Sequence, residues 1–370
     1  MKHCFFLLLS LLPALALGVE HRLDKSLNED VVFIKSGAGT LQSSLETTIF
    51  KPDGEGPFPL VVINHGKNAG DPHAQARSRF KAVSREFVSR GYVVMLPMRE
   101  GFSRSSGSYI DGGCDLVDNG LTQARDVRSA LDYARTLPFV DAKRIVVIGQ
   151  SHGGLTTMAF GTRAYPGVLG LINFAGGLKL PLCSAWPQTL VDAFADYGTR
   201  NRYETLWFYG ANDSFWSNEM VSLLYARYTG GGGKARLVAV GKFKNDAHNL
   251  FGDSDGVAIW WPEVEKFLRS LALPVTLLPH AEKLLDPIAQ RLQDAGEADV
   301  VAAHSDCHKL YSRFIDADYP RAFAVSENGR CGYAYGGEDS KKRAEDFCRG
   351  TTQSSCALYV IDDDVLPLRN

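Results

Sequence analysis

The chain has 370 residues, 45% hydrophobic and 11% aromatic, with a formal net charge of −2. That is enough apolar material for one large core and a smaller second one. Near-neutral charge without a lysine-rich run offers nucleic acid no electrostatic footprint. Beyond the first residues no stretch of 18 apolar residues is free of charge, so no membrane span is expected in the mature protein.

Lys2 and His3 precede the apolar run Cys4–Leu12, Pro13 breaks it, and Ala14-Leu15-Ala16-Leu17-Gly18 follows. A charged start, a short apolar core and small residues at Ala16 and Gly18 have the form of a secretory signal peptide over residues 1–18. An uncleaved anchor competes, but the stretch is too short to span a bilayer stably. An exported bacterial protein, periplasmic or secreted, is expected. Val31–Phe33 and Leu45–Phe50 then read as an edge hairpin. Leu60-Val61-Val62-Ile63-Asn64 is a buried strand running into His65-Gly66-Lys67, with a helix over roughly His73–Arg90 behind it. Tyr92–Pro97 is the next strand, and a long loop leads to a helix over about Leu121–Thr136.

Arg144-Ile145-Val146-Val147-Ile148 is a strand that runs directly into Gly149-Gln150-Ser151-His152-Gly153-Gly154, a G-x-S-x-G turn ahead of a helix. That context makes Ser151 a nucleophile candidate rather than an idle turn serine. The flanking glycines are expected to permit the sharp turn. An activated serine needs a base, a group that orients the base, and donors for the oxyanion. Strands follow at Val168–Ala175 and Thr205–Tyr209, and the second ends in Gly210-Ala211-Asn212-Asp213. Asp213 is the expected orienting acid; a turn carboxylate capping the next helix is the bland alternative. Strand Ala235–Val240 leads to Asp246-Ala247-His248. His248 is the expected base, and Asp246, two residues away, is the rival acid.

Thr229-Gly230-Gly231-Gly232-Gly233 is a connector without the Lys-Ser/Thr of a phosphate loop. Trp260–Leu271 is the last helix of this region, and Pro274 marks its end. Strands alternating with helices mean an α/β domain, over 19–275, with a mostly parallel sheet covered on both faces. The tail, 276–370, has a polar helix-like stretch, Ala281–Leu292, and strands Arg321–Val325 and Cys356–Ile361 around a polar helix, Asp339–Cys348. It reads as a small cysteine-containing module held by disulfides. Loss of the signal removes Cys4 and leaves six cysteines, an even count without C-x-x-C spacing. No metal and no cofactor are expected; Asp362-Asp363-Asp364 lacks the ligand spacing of a calcium loop.

Residues from about Val31 to Leu273 resemble the α/β-hydrolase superfamily, and within it the dienelactone-hydrolase-like branch. The resemblance rests on Ile63-Asn64-His65-Gly66, Gly91-Tyr92-Val93-Val94, Pro97-Met98-Arg99, Gly149 to Gly154, Tyr209 to Asp213 and Asp246-Ala247-His248. It implies the α/β-hydrolase fold and a Ser151–His248–Asp213 triad. It also implies an oxyanion hole built from the His152 amide and the Lys67 amide, with Gly66 as rival. His65 is then a structural hydrogen-bonder, and the His152 ring has no direct proton-transfer role. Ser151 stands where dienelactone hydrolases carry cysteine, so ester cleavage is expected and the dienelactone substrate is not. In the superfamily's sheet order, strands Tyr92–Pro97 and Val168–Ala175 flank the His65 and Ser151 strands. Cys114 would then pair with Cys183 across the mouth of the site, with Phe102, Tyr109 and Trp186 lining its roof. Cys307–Cys331 and Cys348–Cys356 are the simplest remaining pairs.

The expected function is a secreted serine hydrolase that cleaves carboxylic esters, small or polysaccharide-linked, through an acyl-enzyme. Two alternatives stand beside it: a serine peptidase related to prolyl oligopeptidases, and a non-catalytic binding protein on a hydrolase fold.

Overall fold

The central strands carry unbroken apolar runs because both of their faces are covered. In the computed structural model, strands β1 (Asp30–Ser36), β2 (Ser43–Phe50), β3 (Phe58–Asn64), β4 (Val93–Pro97), β5 (Val140–Gln150), β6 (Val168–Phe174), β7 (Glu204–Gly210) and β8 (Lys234–Val240) form one sheet. Its order is β1-β2-β4-β3-β5-β6-β7-β8. β1 and β2 are antiparallel, β2 joins β4 antiparallel, and every later pairing is parallel. Side chains alternate between the two faces, as the two-residue period requires. Leu60, Val62, Ile145, Val147 and Leu171 face α2 (Leu116–Ala134), α3 (His152–Phe160), α4 (Trp186–Arg200) and α5 (Asn218–Gly230). Val61, Ile63, Val146, Ile148 and Ile172 face α1 (Lys81–Val88) and α6 (Ser254–Ser270). The described residues are 23–37, 39, 42–279, 281–285, 305–317, 321–335, 339–350, 355–361 and 364–366. The expected signal peptide and Asp362–Asp363 lie outside them. No helix among the described residues is long and apolar enough to cross a membrane.

The helix expected over His73–Arg90 is much shorter. Pro72–Ala74 is a single 3₁₀ turn, and α1 begins only at Lys81, behind Phe80 at φ 40°. Tertiary ion pairs override the local propensity. Arg77 Nη1 and Arg79 Nε each lie 2.8 Å from Glu29 Oε1, all three side chains being buried. That pulls residues 75–80 out of helical geometry.

The described residues fall into two units, one within Leu23–Ala298 and the other within Asp299–Asn370. Val275 is buried in the core of the first unit, Leu284 packs against it, and the Leu278 N–H donates to the Ser89 carbonyl. Of the helix expected over Ala281–Leu292, the described part is α7 (Glu282–Leu285).

In the second unit α8 (Ser305–Asp316), β9 (Arg321–Ser326), β10 (Cys331–Tyr335), α9 (Ser340–Arg349), β11 (Cys356–Ile361) and β12 (Asp364–Val365) surround an antiparallel sheet of order β10-β9-β11-β12. Disulfides Cys307–Cys331 and Cys348–Cys356 tie α8 to β10 and α9 to β11. α8 and β10 escape the sequence pattern: β10 is five residues long and holds Gly332. A Cβ there would lie 2.3 Å from the Cys348 amide nitrogen, so glycine lets α9 lie directly on the strand.

Candidate active site

The parallel strands β3, β5, β6, β7 and β8 end at one edge, where open α/β sheets bind ligands. Ser151 sits between β5 and α3 at φ 56°, ψ −124°. The strained left-handed conformation falls on the serine itself, not on a neighbouring glycine. Such strain in a non-glycine residue marks functional turns. The glycines have another task, close packing. A Cβ at Gly149 would lie 2.0 Å from the Gly153 carbonyl oxygen. One at Gly153 would lie 2.0 Å from the Asn64 oxygen and 2.6 Å from the His65 oxygen. Gly153→Ala should therefore force β3 and α3 apart and cost about 3 kcal/mol or more, read as a lowered urea midpoint. An unchanged midpoint would show that this contact yields freely.

The Ser151 loop is fixed on both sides. Its N–H donates to the Phe174 carbonyl (2.9 Å), and its carbonyl accepts from the Gly177 N–H (3.0 Å). Gln150 Nε2 donates to the His248 carbonyl at 3.1 Å, which ties the β8 loop to the serine turn. His248 Nδ1 lies 3.1 Å from each Asp213 carboxylate oxygen. The Asp213 side chain is fully buried and that of His248 nearly so. Asp213 Oδ1 also accepts from the Phe215 and Trp216 amides (2.8 and 3.2 Å), while Ser217 caps α5. The rival carboxylate, Asp246, makes different contacts. It accepts from the Ser214 amide (3.0 Å), the Ser214 hydroxyl (2.7 Å) and the His248 amide (2.9 Å). Burial works against its charge, but these hydrogen bonds hold its carboxyl below the usual value.

On the other side of the serine, a Cβ at Gly66 would meet Gln150 Oε1 at 2.8 Å and Ser151 Cβ at 3.2 Å. The His65-Gly66-Lys67 loop therefore lies directly against the serine turn. His152 is the first residue of α3, where helix geometry leaves the amide without an intrahelical acceptor. The Lys67 ammonium turns away to the Asn68 carbonyl (3.2 Å).

His65 and His152 are both fully used and buried. The Arg99 N–H donates to His65 Nε2 (3.1 Å), so Nδ1 carries the proton and donates to the Gly66 carbonyl (2.6 Å). Arg99 Nη2 donates to His152 Nδ1 (3.1 Å), so His152 Nε2 donates to Asn119 Oδ1 (2.8 Å). Burial first, then the Arg99 charge, pushes both rings well below the ordinary histidine value. Both are neutral, and neither has a nitrogen left for the reaction. The unfolded chain binds protons on these rings below pH ~6.5, and the folded chain does not. Stability should therefore fall as pH drops below that value, by about 2 to 3 kcal/mol per pH unit for two rings. His152→Gln should remove about half of the slope in denaturation series between pH 5 and 7. An unaltered slope would mean that His152 takes up a proton in place.

Of the three expected roof residues, Phe102 has no exposed surface. It packs edge-on against His65 (4.7 Å) and beneath Tyr109 (5.2 Å), so it supports the site from behind. Tyr109 is half-buried, edge-on to the His152 ring at 5.7 Å. Trp186 opens α4, 6.2 Å from Trp216. Cys114 and Cys183 form a disulfide with a Cα separation of 5.7 Å. It joins the loops after β4 and β6 and closes a 69-residue span, a constraint of about 4 kcal/mol on the unfolded chain. Two neighbours escaped the sequence reading. Phe215 is 43% exposed with its ring 4.3 Å from the His248 ring, and its place two residues after Asp213 was the available signal. Arg99 is the other, standing within the Pro97-Met98-Arg99 segment.

A family model for X-Pro dipeptidyl-peptidase (S15 family) matches residues 42–180. The quorum-quenching protein AidA of Acinetobacter baumannii (strain MDR-ZJ06) is 30% identical over 106 residues, 29% of this chain and 32% of that protein. The match thus spans about a third of the curated relative. Among solved structures, the Pyrococcus horikoshii acylaminoacyl peptidase is 17% identical over 66% of this chain and 42% of that one, with a TM-score of 0.50. The Pyrococcus furiosus esterase Pf2001 is 16% identical over 66% and 91%, with a TM-score of 0.48. With its eight-stranded, mostly parallel sheet and Ser151 on the turn from β5 to α3, the chain has the α/β-hydrolase fold.

Proposed function

We propose that this protein is an exported serine hydrolase that cleaves carboxylic esters through an acyl-enzyme. Ser151 attacks the ester carbonyl, and His248 takes the serine proton and returns it to the leaving alcohol. Asp213 holds the imidazole in the tautomer with Nε2 free and stabilises the imidazolium. The His152 and Lys67 amides receive the oxyanion. Water then repeats the cycle on the acyl-enzyme and releases the acid. The observation that carries this reading is the pairing of His248 Nδ1 with both oxygens of a fully buried Asp213, on loops bonded to the turn of a strained Ser151. An idle or purely binding fold has no need to bury a carboxylate against a histidine beside such a serine.

A peptidase reading is favoured by the S15 family match over residues 42–180. Amides and esters share the acyl-enzyme route and differ in leaving group, so the same residues serve both. The test is labelling by a fluorophosphonate, with and without Ser151→Ala, followed by turnover of matched p-nitrophenyl esters and p-nitroanilides. Labelling lost with Ser151 and faster ester turnover are expected. Turnover of X-Pro anilides above that of any ester would move the assignment to the peptidase. Absence of labelling in the parent would remove the enzyme reading altogether.

A further inference from the structure

We infer that Arg99 is a positioning residue that sets both backbone donors of the oxyanion hole, an inference resting on the serine-hydrolase reading above. Its side chain is fully buried. Nη1 donates to the His65 carbonyl at 2.8 Å, at the base of the loop that presents Gly66 and Lys67. Nη2 donates to the ring of His152, whose own amide is the other donor. The backbone N–H of Arg99, two residues past the end of β4, holds the His65 ring, and Nε is anchored on Gln123 Oε1 of α2 at 3.0 Å. One planar fork thus spans the two segments whose spacing defines the hole.

The charge is as informative as the geometry. Among the described residues, no carboxylate lies within ion-pair distance of this guanidinium. Its direct side-chain partners are a carbonyl, an amide and a neutral imidazole. Burying a cation without a directly paired counter-ion opposes folding, with the Asp126 carboxylate acting only at longer range, and a neutral side chain could fill a purely structural slot. A rigid fork that satisfies three acceptors at fixed angles is what only arginine supplies. Burial also draws its proton affinity down, to a pKa of about 10, which leaves it charged at neutral pH. Lysine would keep the charge and lose the fork.

The experiment compares Arg99→Lys with the parent for p-nitrophenyl acetate turnover and for inhibition by phenylboronic acid, whose tetrahedral serine adduct places an oxygen in the hole. We expect kcat to fall about 10- to 100-fold with KM within about twofold. Phenylboronate affinity should fall in proportion, and the fully folded fraction should be unchanged by circular dichroism. A merely structural residue would shift the melting temperature and leave the boronate-to-substrate affinity ratio as it was. A folded Arg99→Lys with parental kcat and boronate affinity overturns the proposal. Should Arg99→Lys not fold, Gln123→Met decides: it frees the Nε end, and kcat and boronate affinity should fall together several-fold. Parental values of both in Gln123→Met overturn the proposal too. Ser151→Ala runs beside them. Retained turnover there defeats the serine-hydrolase reading and this inference with it. A silent Ser151→Ala beside an unaffected Arg99→Lys defeats the inference alone.

Discussion

Ser151→Ala and His248→Ala should each lower kcat for ester substrates by roughly 10⁴-fold or more, with little change in KM. The asymmetry follows from what each group does. In the proposed acyl-enzyme route the serine oxygen and the imidazole would form and break bonds only as the tetrahedral intermediate develops, so removing either should leave ground-state binding intact. Alanine also leaves the fold alone. The strain at Ser151 belongs to the backbone, held by the Phe174 and Gly177 contacts, and those use main-chain atoms only. The double variant should be hardly worse than either single one, because nucleophile and base act as a unit. Fluorophosphonate labelling should vanish in Ser151→Ala and slow strongly in His248→Ala. Ester turnover at the parental rate in purified Ser151→Ala would show the nucleophile to lie elsewhere.

The parallel sheet was legible because burial on both faces writes itself as unbroken apolar runs, such as Leu60–Ile63 and Ile145–Ile148. The strand ahead of Gly149 to Gly154 made the serine turn legible too. What the pattern misassigned was the reason for the glycines. Sequence can say that a position lacks a Cβ but not which backbone it must admit. Here it is the Asn64 and His65 carbonyls against Gly153, while Ser151 takes the strained torsion. The lost helical turns before Lys81 have a similar cause. Arg77 and Arg79 are acceptable helix residues, and long-range partners, Glu29 some 50 positions away above all, draw them out of the helix. Long-range ion pairs leave no local periodicity. The role of Arg99, and the place of Phe102 behind the site rather than in its roof, escaped for the same reason, since their partners on the loop after β3 and on α2 are set by topology rather than spacing. The sulfur pair Cys114–Cys183 was accessible only once strand order was supplied by the superfamily resemblance.

Asp213→Asn should reduce kcat by about 10⁴-fold, and Asp246→Asn by no more than about tenfold. Both carboxylates lie beside His248, so chain order alone does not separate them; hydrogen bonding does. Asp213 presents both oxygens to His248 Nδ1 at 3.1 Å. Asparagine there keeps one oxygen for the Phe215 and Trp216 amides but turns an NH₂ group toward Nδ1. The ring must then take the opposite tautomer, with its proton on Nε2 and no lone pair for the serine. Nor can a neutral amide stabilise the imidazolium. Asp246 instead takes the Ser214 amide, the Ser214 hydroxyl and the His248 backbone amide. It clasps the β7 loop to the β8 loop and never touches the ring nitrogen that sets the tautomer. Its asparagine variant retains one acceptor oxygen, so the loops loosen slightly while the imidazole keeps its partner. The difference should also show in the pH–rate profile. Asp246→Asn should keep a basic limb near the parent's. Asp213→Asn should recover activity only as hydroxide replaces the missing general base, rising with pH across the range where the parent is flat. If Asp246→Asn proves the more damaging of the two, the orienting acid is Asp246, and the Asp213–His248 contact serves the fold alone.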